Sequence, residues 1–457
     1  MPGPVFPAIL ILSACAGPTA AGAGRPPGHA EPTPAHAGPG AAASRAVVPD
    51  PAAGEPVTLA QVLAWAETHA PPVRIAEARM EHADAVMEEA RLGVPSDPSL
   101  QVAIGPRMAP GGTDYDVQSW LTQRVEVAGE RRLRIVAADA LGHRLRAARS
   151  VTRWEVHQRV HHAFHEALAA REHVEAAERL GGFEDRMLEI AEARVRAGDA
   201  SPLQVRLAEG ERARARQHLL MARQRYDAAR LTLAEAAGWP PEHPPAPAGE
   251  LDPPRDAPPL DRLLALAERH QPVLHAREAA LEEAEARVRL ADREASPKPT
   301  LGVGYQREGS PTRDPEHSVL GQIGTTLPVA RRNRGPRARA RATRAEARAE
   351  RDAYFQELRV RIARAARAVE SASERVRVYG TELLPAFEES LRMLERAHEL
   401  GEVDVLQVGT AVERFLRAQE DALQAYEDYH EAAAALEAAV GTDLWGGERH
   451  GETEDAP

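Results

Sequence analysis

The sequence predicts a mainly α-helical protein with a small β part, in which long helices pair as internally duplicated hairpins. Aromatic residues make up only 4% of the chain and charged residues 28%, and Ala, Arg, Glu and Leu fill long stretches in place of β-branched residues. This composition is typical of long helices packed side by side. Residues 130–180 contain no proline, so a helix there would extend for about 75 Å at 1.5 Å per residue.

The chain contains an internal duplication, which is the strongest single pattern in the sequence. The residues Leu59–His69 have the same pattern as Leu260–His270, 201 positions later. Further along, Gly198 matches Gly401 at a spacing of 203. Each half therefore has the same order of elements: a short helix, an amphipathic helix, two short alternating segments and a long helical pair.

The duplication divides the chain into six parts. A stretch dense in proline separates the two halves and cannot form a helix. Residues 16–55 are mostly Ala, Gly and Pro, which favours a disordered tether. The parts are a signal peptide (1–14), a lipidated tether (15–56), the first repeat (57–238), a proline-rich linker (239–258), the second repeat (259–442) and a polar tail (443–457).

Two pairs of alternating segments predict β-hairpins, at about 99–127 and about 300–328. Apolar side chains recur at every second position, which places one face of each strand toward an apolar medium and the other toward a polar one. The connecting segments are rich in Gly, Pro and Asp, as hairpin loops are. We expect the lipid-facing residues to include Val117, Leu121, Leu301, Val303, Val319 and Ile323.

The number of strands predicts an assembly of several chains. No run of 18 apolar residues occurs in the sequence, so strands would have to cross a membrane if the protein does so. Four strands are too few for a closed barrel, since bacterial outer-membrane barrels begin at about eight, and an open edge is unstable in lipid. We therefore expect the strands to be shared between chains, and three copies would supply twelve.

A long helical pair follows each hairpin. We expect the first return helix to begin after Gly181 and Gly182, and both return helices to break and restart at Gly198 and Gly401. Glycine favours the end of a helix, and the Ser or Asp that follows favours a new N-terminal cap.

This order of elements, present twice over roughly residues 57–442, resembles the TolC-type outer-membrane efflux family. Each of the similar strings is short, and their order and duplication carry the resemblance. The strings are Val127-Ala128-Gly129-Glu130, Arg196-Ala197-Gly198 and Glu399-Leu400-Gly401, the last two followed by Leu-Gln-Val, and Leu383-Leu384-Pro385.

The resemblance implies a homotrimer with a shared twelve-stranded β-barrel in the outer membrane and an α-barrel that extends through the periplasm. It implies two protein partners, a periplasmic adaptor and an inner-membrane pump of RND type, and a third partner in outer-membrane lipid. The implied function is a passive exit duct of a tripartite efflux pump, with no enzymatic activity and no cofactor. A type I secretion duct and a periplasmic coiled-coil or adaptor protein without a pore are the alternatives.

The same resemblance places the adaptor at the turns between the long helices. We expect these tips to be formed by Arg179, Leu180, Gly181, Gly182, Tyr379 and Gly380. Acids just beyond the tips would lie near the starts of the return helices, where the helix dipole favours them. Threefold repetition would also bring such acids into rings that attract cations. These candidate entrance acids are Glu184, Asp185, Glu388 and Glu389.

The N-terminus predicts a lipid anchor. A short apolar segment, Val5 to Leu12, leads into Leu12-Ser13-Ala14-Cys15, and Cys15 is the single cysteine of the chain. This pattern resembles the lipobox of bacterial lipoproteins, in which the cysteine becomes the first mature residue and carries acyl chains. An incidental buried thiol is the alternative.

The sequence contains no recognisable catalytic pattern. It lacks a nucleophile elbow, a phosphate-binding glycine loop and Cys/His zinc spacing. The net charge of −12 argues against nucleic acid as a partner. A histidine row on the first long helix, His157, His161, His162 and His165, has a spacing that could suit a transition metal, although a titratable helix face explains it as well and we assign no metal site.

Overall fold

The computed structural model describes residues 55–251, 253–327 and 333–445, and it confirms a mainly helical chain with a small sheet. The elements described in the first repeat are α1 (Leu59–His69), α2 (Pro71–Arg91), β1 (Ser99–Ala109), β2 (Gly112–Arg124), α3 (Glu130–Ala197) and α4 (Pro202–Ala237). Those in the second repeat are α5 (Leu260–His270), α6 (Pro272–Arg293), β3 (Thr300–Glu308), β4 (Glu316–Gly324), α7 (Arg334–Val378), a π-helical segment (Tyr379–Leu383), α8 (Leu384–Glu399) and α9 (Val405–Val440).

Side-chain caps fix several helix starts. The Thr58 side chain accepts a hydrogen bond from the backbone N–H of Gln61, whose own side chain accepts from the backbone of Thr58, so that α1 begins with a capping box. A second capping box, between Asp404 and Gln407, begins α9. Ser201 caps α4 by accepting from the backbone two residues later. These caps satisfy backbone donors that have no partner inside the helix.

The four strands form one antiparallel sheet in the order β1-β2-β3-β4. Leu100 lies opposite Leu121 in the first hairpin, and Leu301 lies opposite Ile323 in the second. Strand β2 pairs with β3, with Leu121 opposite Val303, and thereby joins the two repeats. The two hairpins have equivalent registers, as the duplication requires.

The helices nearest the sheet form a row in the order α2, α3, α6, α7, because α3 packs against both α2 and α6 and α6 packs against α7. Helix α4 packs along α3, and α9 packs against α7 and α3. Helix α3 is unbroken over 68 residues, a length of about 100 Å. Within the described ranges, no helical stretch combines the length and the hydrophobicity that a bilayer crossing requires.

Each repeat has its own hydrophobic core where its long helices meet the short helix. In the first repeat the core contains Val160 and Leu233, and in the second it contains Ile362 and Leu436. All four side chains are 0% exposed. Burial of a Val, Leu or Ile side chain stabilises a fold by about 1.5–3 kcal/mol. Equivalent positions therefore stabilise the core of each repeat in the same way.

The proline-rich segment after α4 is extended and packs against the first repeat. Val57 donates a backbone hydrogen bond to Ala246 at 2.8 Å, and Trp239, 5% exposed, donates from its indole to the carbonyl of His243 at 2.9 Å. The Arg171 guanidinium donates to the carbonyl of Pro247. The segment is thus packed against the first repeat and covers its core.

Candidate functional site

The register of the sheet separates its side chains into an apolar face and a polar face. Residues opposite each other in an antiparallel ladder project to the same side. The expected lipid-facing residues Val117, Leu121, Leu301, Val303, Val319 and Ile323 all fall on one side by this register. The sheet therefore places the six residues together, and their contact with lipid stays a prediction.

Strand β1 contributes three further residues to the apolar face, which the sequence analysis omitted. Leu100, Val102 and Ile104 lie opposite residues of that face, and they are 67%, 58% and 68% exposed. Ile323, at the other edge of the sheet, is 81% exposed. The alternation along Leu100-Gln101-Val102-Ala103-Ile104 was the available signal.

The opposite face is mostly polar. It carries Gln118 and Gln322 together with Thr122, and its main aromatic group is Trp120. The Trp120 ring lies over Gly304, where an added Cβ would come within 2.6 Å of the ring carbons. A side chain at position 304 would therefore collide with the indole, so glycine is required for the ring to occupy this place.

Both edges of the sheet are open. In the described residues, β1 pairs only with β2 and β4 pairs only with β3. An edge strand presents a row of unpaired N–H and C=O groups, which can pair with another chain. The sheet therefore has two unused pairing edges and one exposed apolar face.

Ion pairs hold the hairpin ends of the sheet. Arg107 contacts Asp116 at 2.9 Å and Glu308 at 3.1 Å, so it links the two hairpins. Arg307 contacts Asp114 at 3.5 Å. Both of these cations therefore have an acidic partner within the sheet.

The other end of the long helices consists of two turns, which we call the far-end turns: residues 198–201 and 400–404. Gly198 and Gly401 have φ values of 85° and 78°, the left-handed conformation that favours glycine. Arg194 donates to the carbonyl of His398 at 3.3 Å, so the two turns lie side by side. Apolar side chains around them are exposed: Leu203, Leu207, Leu400 and Leu406.

The prediction that the helix tips lie at Arg179, Leu180, Gly181, Gly182, Tyr379 and Gly380 is wrong, because the chain makes no turn there. Helix α3 continues through residues 179–182 without interruption. Residues 379–380 begin a π-helical segment that joins α7 directly to α8, so the chain does not reverse there. The glycines lack the positive φ of a helix end, and neighbouring Leu180 and Phe183 are buried in a core. Gly198 and Gly401 are breaks as expected, but they are the turns into α4 and α9 and not interruptions of return helices.

Of the candidate entrance acids, Glu184 and Asp185 are not near a helix start. Glu184 lies within α3 and is 6% exposed; burial, and secondarily the charge of Glu211, raises its pKa to about 7. Asp185 pairs with Arg212 at 3.4 Å. Glu388 and Glu389 are exposed in the second turn of α8. The four acids share a level of the helices, about 20 Å from the far-end turns, and only Glu184 is withdrawn from solvent.

The histidine row of α3 packs against α9 and the residues that directly follow α9. His157 contacts Asp443 at 2.9 Å, and the ring of His165 stacks on that of His430 at 4.2 Å. Burial, with the nearby His430, His161 and His162, lowers the pKa of His165 to about 2. Among the described residues no group of three or more His, Cys, Asp or Glu could hold a metal ion. The row thus contributes to the packing of α3 against α9.

Cys15, the signal peptide and the tether lie outside the described residues, so lipid anchoring stays a prediction. The same holds for the tail after residue 445.

Comparison with known families decides what this arrangement belongs to. The model of the outer membrane efflux protein family matches residues 107–239 and 263–442, which is more than half of the chain. The chain belongs to the outer membrane efflux protein family. That family consists of channels rather than enzymes.

Solved structures of other proteins share the fold. VceC from Vibrio cholerae is 19% identical and superposes with a TM-score of 0.66 over 84% of this chain and 96% of its own. The outer membrane channel MtrE of Neisseria gonorrhoeae, in its open state, is 20% identical, with a TM-score of 0.65 over 84% and 89%. For the outer membrane channel CmeC of Campylobacter jejuni the values are 13%, 0.66, 84% and 85%. No curated protein sequence matches the chain significantly.

Proposed function

We propose that this protein is the outer-membrane exit duct of a tripartite efflux pump, formed by three copies that close one shared sheet. The observation that carries the proposal is the four-stranded sheet with an exposed apolar face and two open edges. In lipid the apolar face would be buried, but the unpaired edges would be costly unless a neighbouring copy paired with them. Closure by three copies satisfies both requirements with twelve strands.

The internal repeat supports a specific register between copies. Leu100 opposite Leu121 in the first hairpin corresponds to Leu301 opposite Ile323 in the second. Within the chain, Leu121 lies opposite Val303. The equivalent pair across the boundary is Ile323 opposite Val102 of the next copy, and both residues belong to the apolar face.

A disulfide experiment tests this closure. Cysteines replace Ile323 and Val102 in a chain that also carries Cys15→Ser, so that the introduced thiols are the only ones. Opposed residues of neighbouring strands have Cβ atoms about 4.5–5.5 Å apart, close to disulfide geometry. Mild oxidation in membranes should therefore give covalent trimers. The matched control places the second cysteine at Ala103, on the opposite face, and should stay monomeric under denaturing conditions.

Conductance separates assembly from transport. The purified protein in a planar bilayer should form long-lived open channels of one size. Absence of cross-linking at the predicted pair, or equal cross-linking in the Ala103 control, contradicts the shared sheet. Cross-linked trimers that never conduct would contradict the duct and leave only a structural assembly.

At the opposite end we propose that the far-end turns meet the periplasmic adaptor of the pump. The exposed Leu203, Leu207, Leu400 and Leu406 provide apolar contact area around the two turns, and an exposed apolar patch is typical of a protein-binding surface. Replacement of Leu203 and Leu406 by Ser should weaken binding of the adaptor and leave conductance unchanged. Replacement of Arg179 by Ser, on a continuous helix, is the control.

Cys15 completes the proposal as the site of lipid attachment in the outer membrane. Labelled palmitate should enter the natural chain and not Cys15→Ser, since acyl chains contribute about 0.8 kcal/mol per buried methylene to anchoring. Equal labelling of the two chains would remove the anchor from the proposal without affecting the duct.

A further inference from the structure

The first three turns of α7 carry a dense cluster of positive charge. Residues 334–344 contain five arginines and no acid, and four of the five, all but Arg337, are exposed. Asp292 of α6 contacts two of them, Arg337 at 2.5 Å and Arg341 at 3.3 Å. Among the described residues, Arg334, Arg339 and Arg344 have no acid within ion-pairing distance of their guanidinium groups. Within the described residues, Asp292 is thus the one acid that pairs with any of the five arginines.

Such a cluster opposes formation of the helix in which it lies. Like charges three or four residues apart repel each other on a helix surface, as Arg337, Arg341 and Arg344 do here. The N-terminus of a helix also carries the positive end of its dipole, where cations are unfavourable. Asn333, which precedes the helix, makes no capping hydrogen bond with its side chain. An external anion would relieve both sources of repulsion.

The first repeat shows that the fold does not require this arrangement. Helix α3 begins with Glu130, which accepts a hydrogen bond from the backbone of Ala128 at 2.9 Å. Arg134 pairs with Glu126 at 2.7 Å, and Arg131 donates to the carbonyl of Arg91 at 2.7 Å. At the same place in the duplicated architecture, Arg131 and Arg134 of the first repeat have partners within the chain.

The cluster lies directly beyond the sheet. Asn333 donates to the carbonyl of Ala291, at the end of the helix that leads into β3, so α7 begins at the level where the strands start. Residues 334–344 then cover about 15 Å of helix. With the apolar face of the sheet in lipid, as in the proposed function, this segment occupies the level of the phospholipid headgroups on the helical side.

We infer that the arginine cluster at the start of α7 binds the phosphate groups of anionic phospholipids in the membrane leaflet nearest the helices. The guanidinium group matches phosphate with two parallel hydrogen bonds. Clusters of four or more cations beside a membrane-embedded segment are typical of anionic headgroup recognition. The inference rests on the proposed function, because it needs the sheet in lipid.

Lipid selectivity measures the interaction directly. The full-length protein is reconstituted in phosphatidylcholine with a trace of spin-labelled phosphatidylglycerol or spin-labelled phosphatidylcholine, and the fraction of immobilised label is compared. The natural chain should prefer phosphatidylglycerol by about threefold or more, and salt should reduce the preference. Arg334→Gln, Arg339→Gln and Arg344→Gln together should bring the ratio close to one.

Two matched variants make the test specific. The same three positions changed to Lys should retain most of the preference, because charge is kept. Arg196→Gln, Arg206→Gln and Arg417→Gln remove equal charge far from the sheet and should retain all of it. Inorganic phosphate substituted for chloride at equal ionic strength should leave the preference intact, whereas its loss would mean that free phosphate is the ligand and would overturn the inference.

The test separates this inference from the proposed function. Channel conductance in pure phosphatidylcholine is measured on the same preparations. If the channels conduct but show no preference for phosphatidylglycerol, or if the Gln variant keeps the preference, the headgroup site is overturned. The proposed duct is not affected by either result. A protein that never conducts overturns the duct, and with it the reason for placing the cluster at a headgroup level.

Discussion

The long helix of the first repeat is continuous, whereas its counterpart in the second repeat contains a π-helical turn. In the core Val160 corresponds to Ile362, and at the far end Gly198 corresponds to Gly401. The span from Ile362 to Gly401 is one residue longer than the span from Val160 to Gly198. A π turn accommodates one additional residue. The segment Tyr379–Leu383 therefore absorbs an insertion locally, and the helix on either side keeps the packing of the first repeat.

The repeats also differ in charge at equivalent places. At the start of α3, Arg131 and Arg134 have partners within the chain, whereas four of the five arginines at the start of α7 are exposed. Toward the far-end turns, the buried Glu184 of the first repeat corresponds to Phe387 in the second. The duplication therefore preserved the sheet and the core, while the surfaces and the helix interiors near the ends diverged. Substitutions should thus have equal effects where the repeats match and unequal effects where they differ.

The largest effect should come from the matched core positions Leu233 and Leu436. Both side chains are 0% exposed, so Leu→Ala at either should destabilise the chain by about 2–5 kcal/mol through lost burial and the remaining cavity. Denaturant unfolding of the purified protein measures the two costs. A cost below about 1 kcal/mol at one position only would show that the two cores are not equivalent.

Matched positions in the sheet should be nearly as sensitive. Arginine in place of Leu121 or Ile323 should cost about 2–4 kcal/mol if the residue lies near the bilayer midplane, and trimers recovered from membranes should disappear for both. Arginine in place of Gln118 or Gln322, on the polar face, should leave assembly intact. The reverse ranking would mean that the polar face is the one in contact with lipid.

Sequence patterns predicted the sheet and the helix content well, because alternation of apolar residues is a local signal. The turn between the long helices is predicted at Gly181 and Gly182 but lies at Gly198, where Ser201 and Pro202 supply a cap and a helix start. Glycine lowers helix propensity by only about 1 kcal/mol, and the buried Leu180, with Phe183, offsets that cost through tertiary contacts. Such packing cannot be read from a single sequence.

A smaller effect, confined to the first repeat, should depend on pH. Burial raises the pKa of Glu184 to about 7 from its ordinary 4.5, so the folded chain favours the protonated carboxyl; the associated stability is complete below pH 4.5 and is lost as the pH rises through 7. Glu184→Gln should change little at pH 5 and stabilise by up to about 3 kcal/mol at pH 8. Thermal unfolding at the two pH values provides the measurement.

The control for this effect is Glu389→Gln. The side chain of Glu389 is exposed on α8, so it stays in solvent in both the folded and the unfolded chain, and its replacement should shift stability equally at both pH values. Stabilisation by Glu184→Gln that is the same at pH 5 and pH 8 would contradict the assignment of a buried, protonated acid.

The smallest effect should come from removing the extra residue of the second repeat. Deletion of Gly380 should convert the π-helical segment into ordinary α-helix, since it restores the spacing of the first repeat and leaves residues 384–399 in register with α9. Loss of a glycine from a helix favours folding by about 1 kcal/mol, so stability should stay equal or rise slightly, and amide exchange around residue 380 should slow. Deletion of Gly181 from α3, which has no spare residue, would instead rotate Phe183 and Met187 out of their core and should destabilise by several kcal/mol, as large-to-small core changes do. Equal losses from the two deletions would show that the π turn is required by the fold and is not an absorbed insertion.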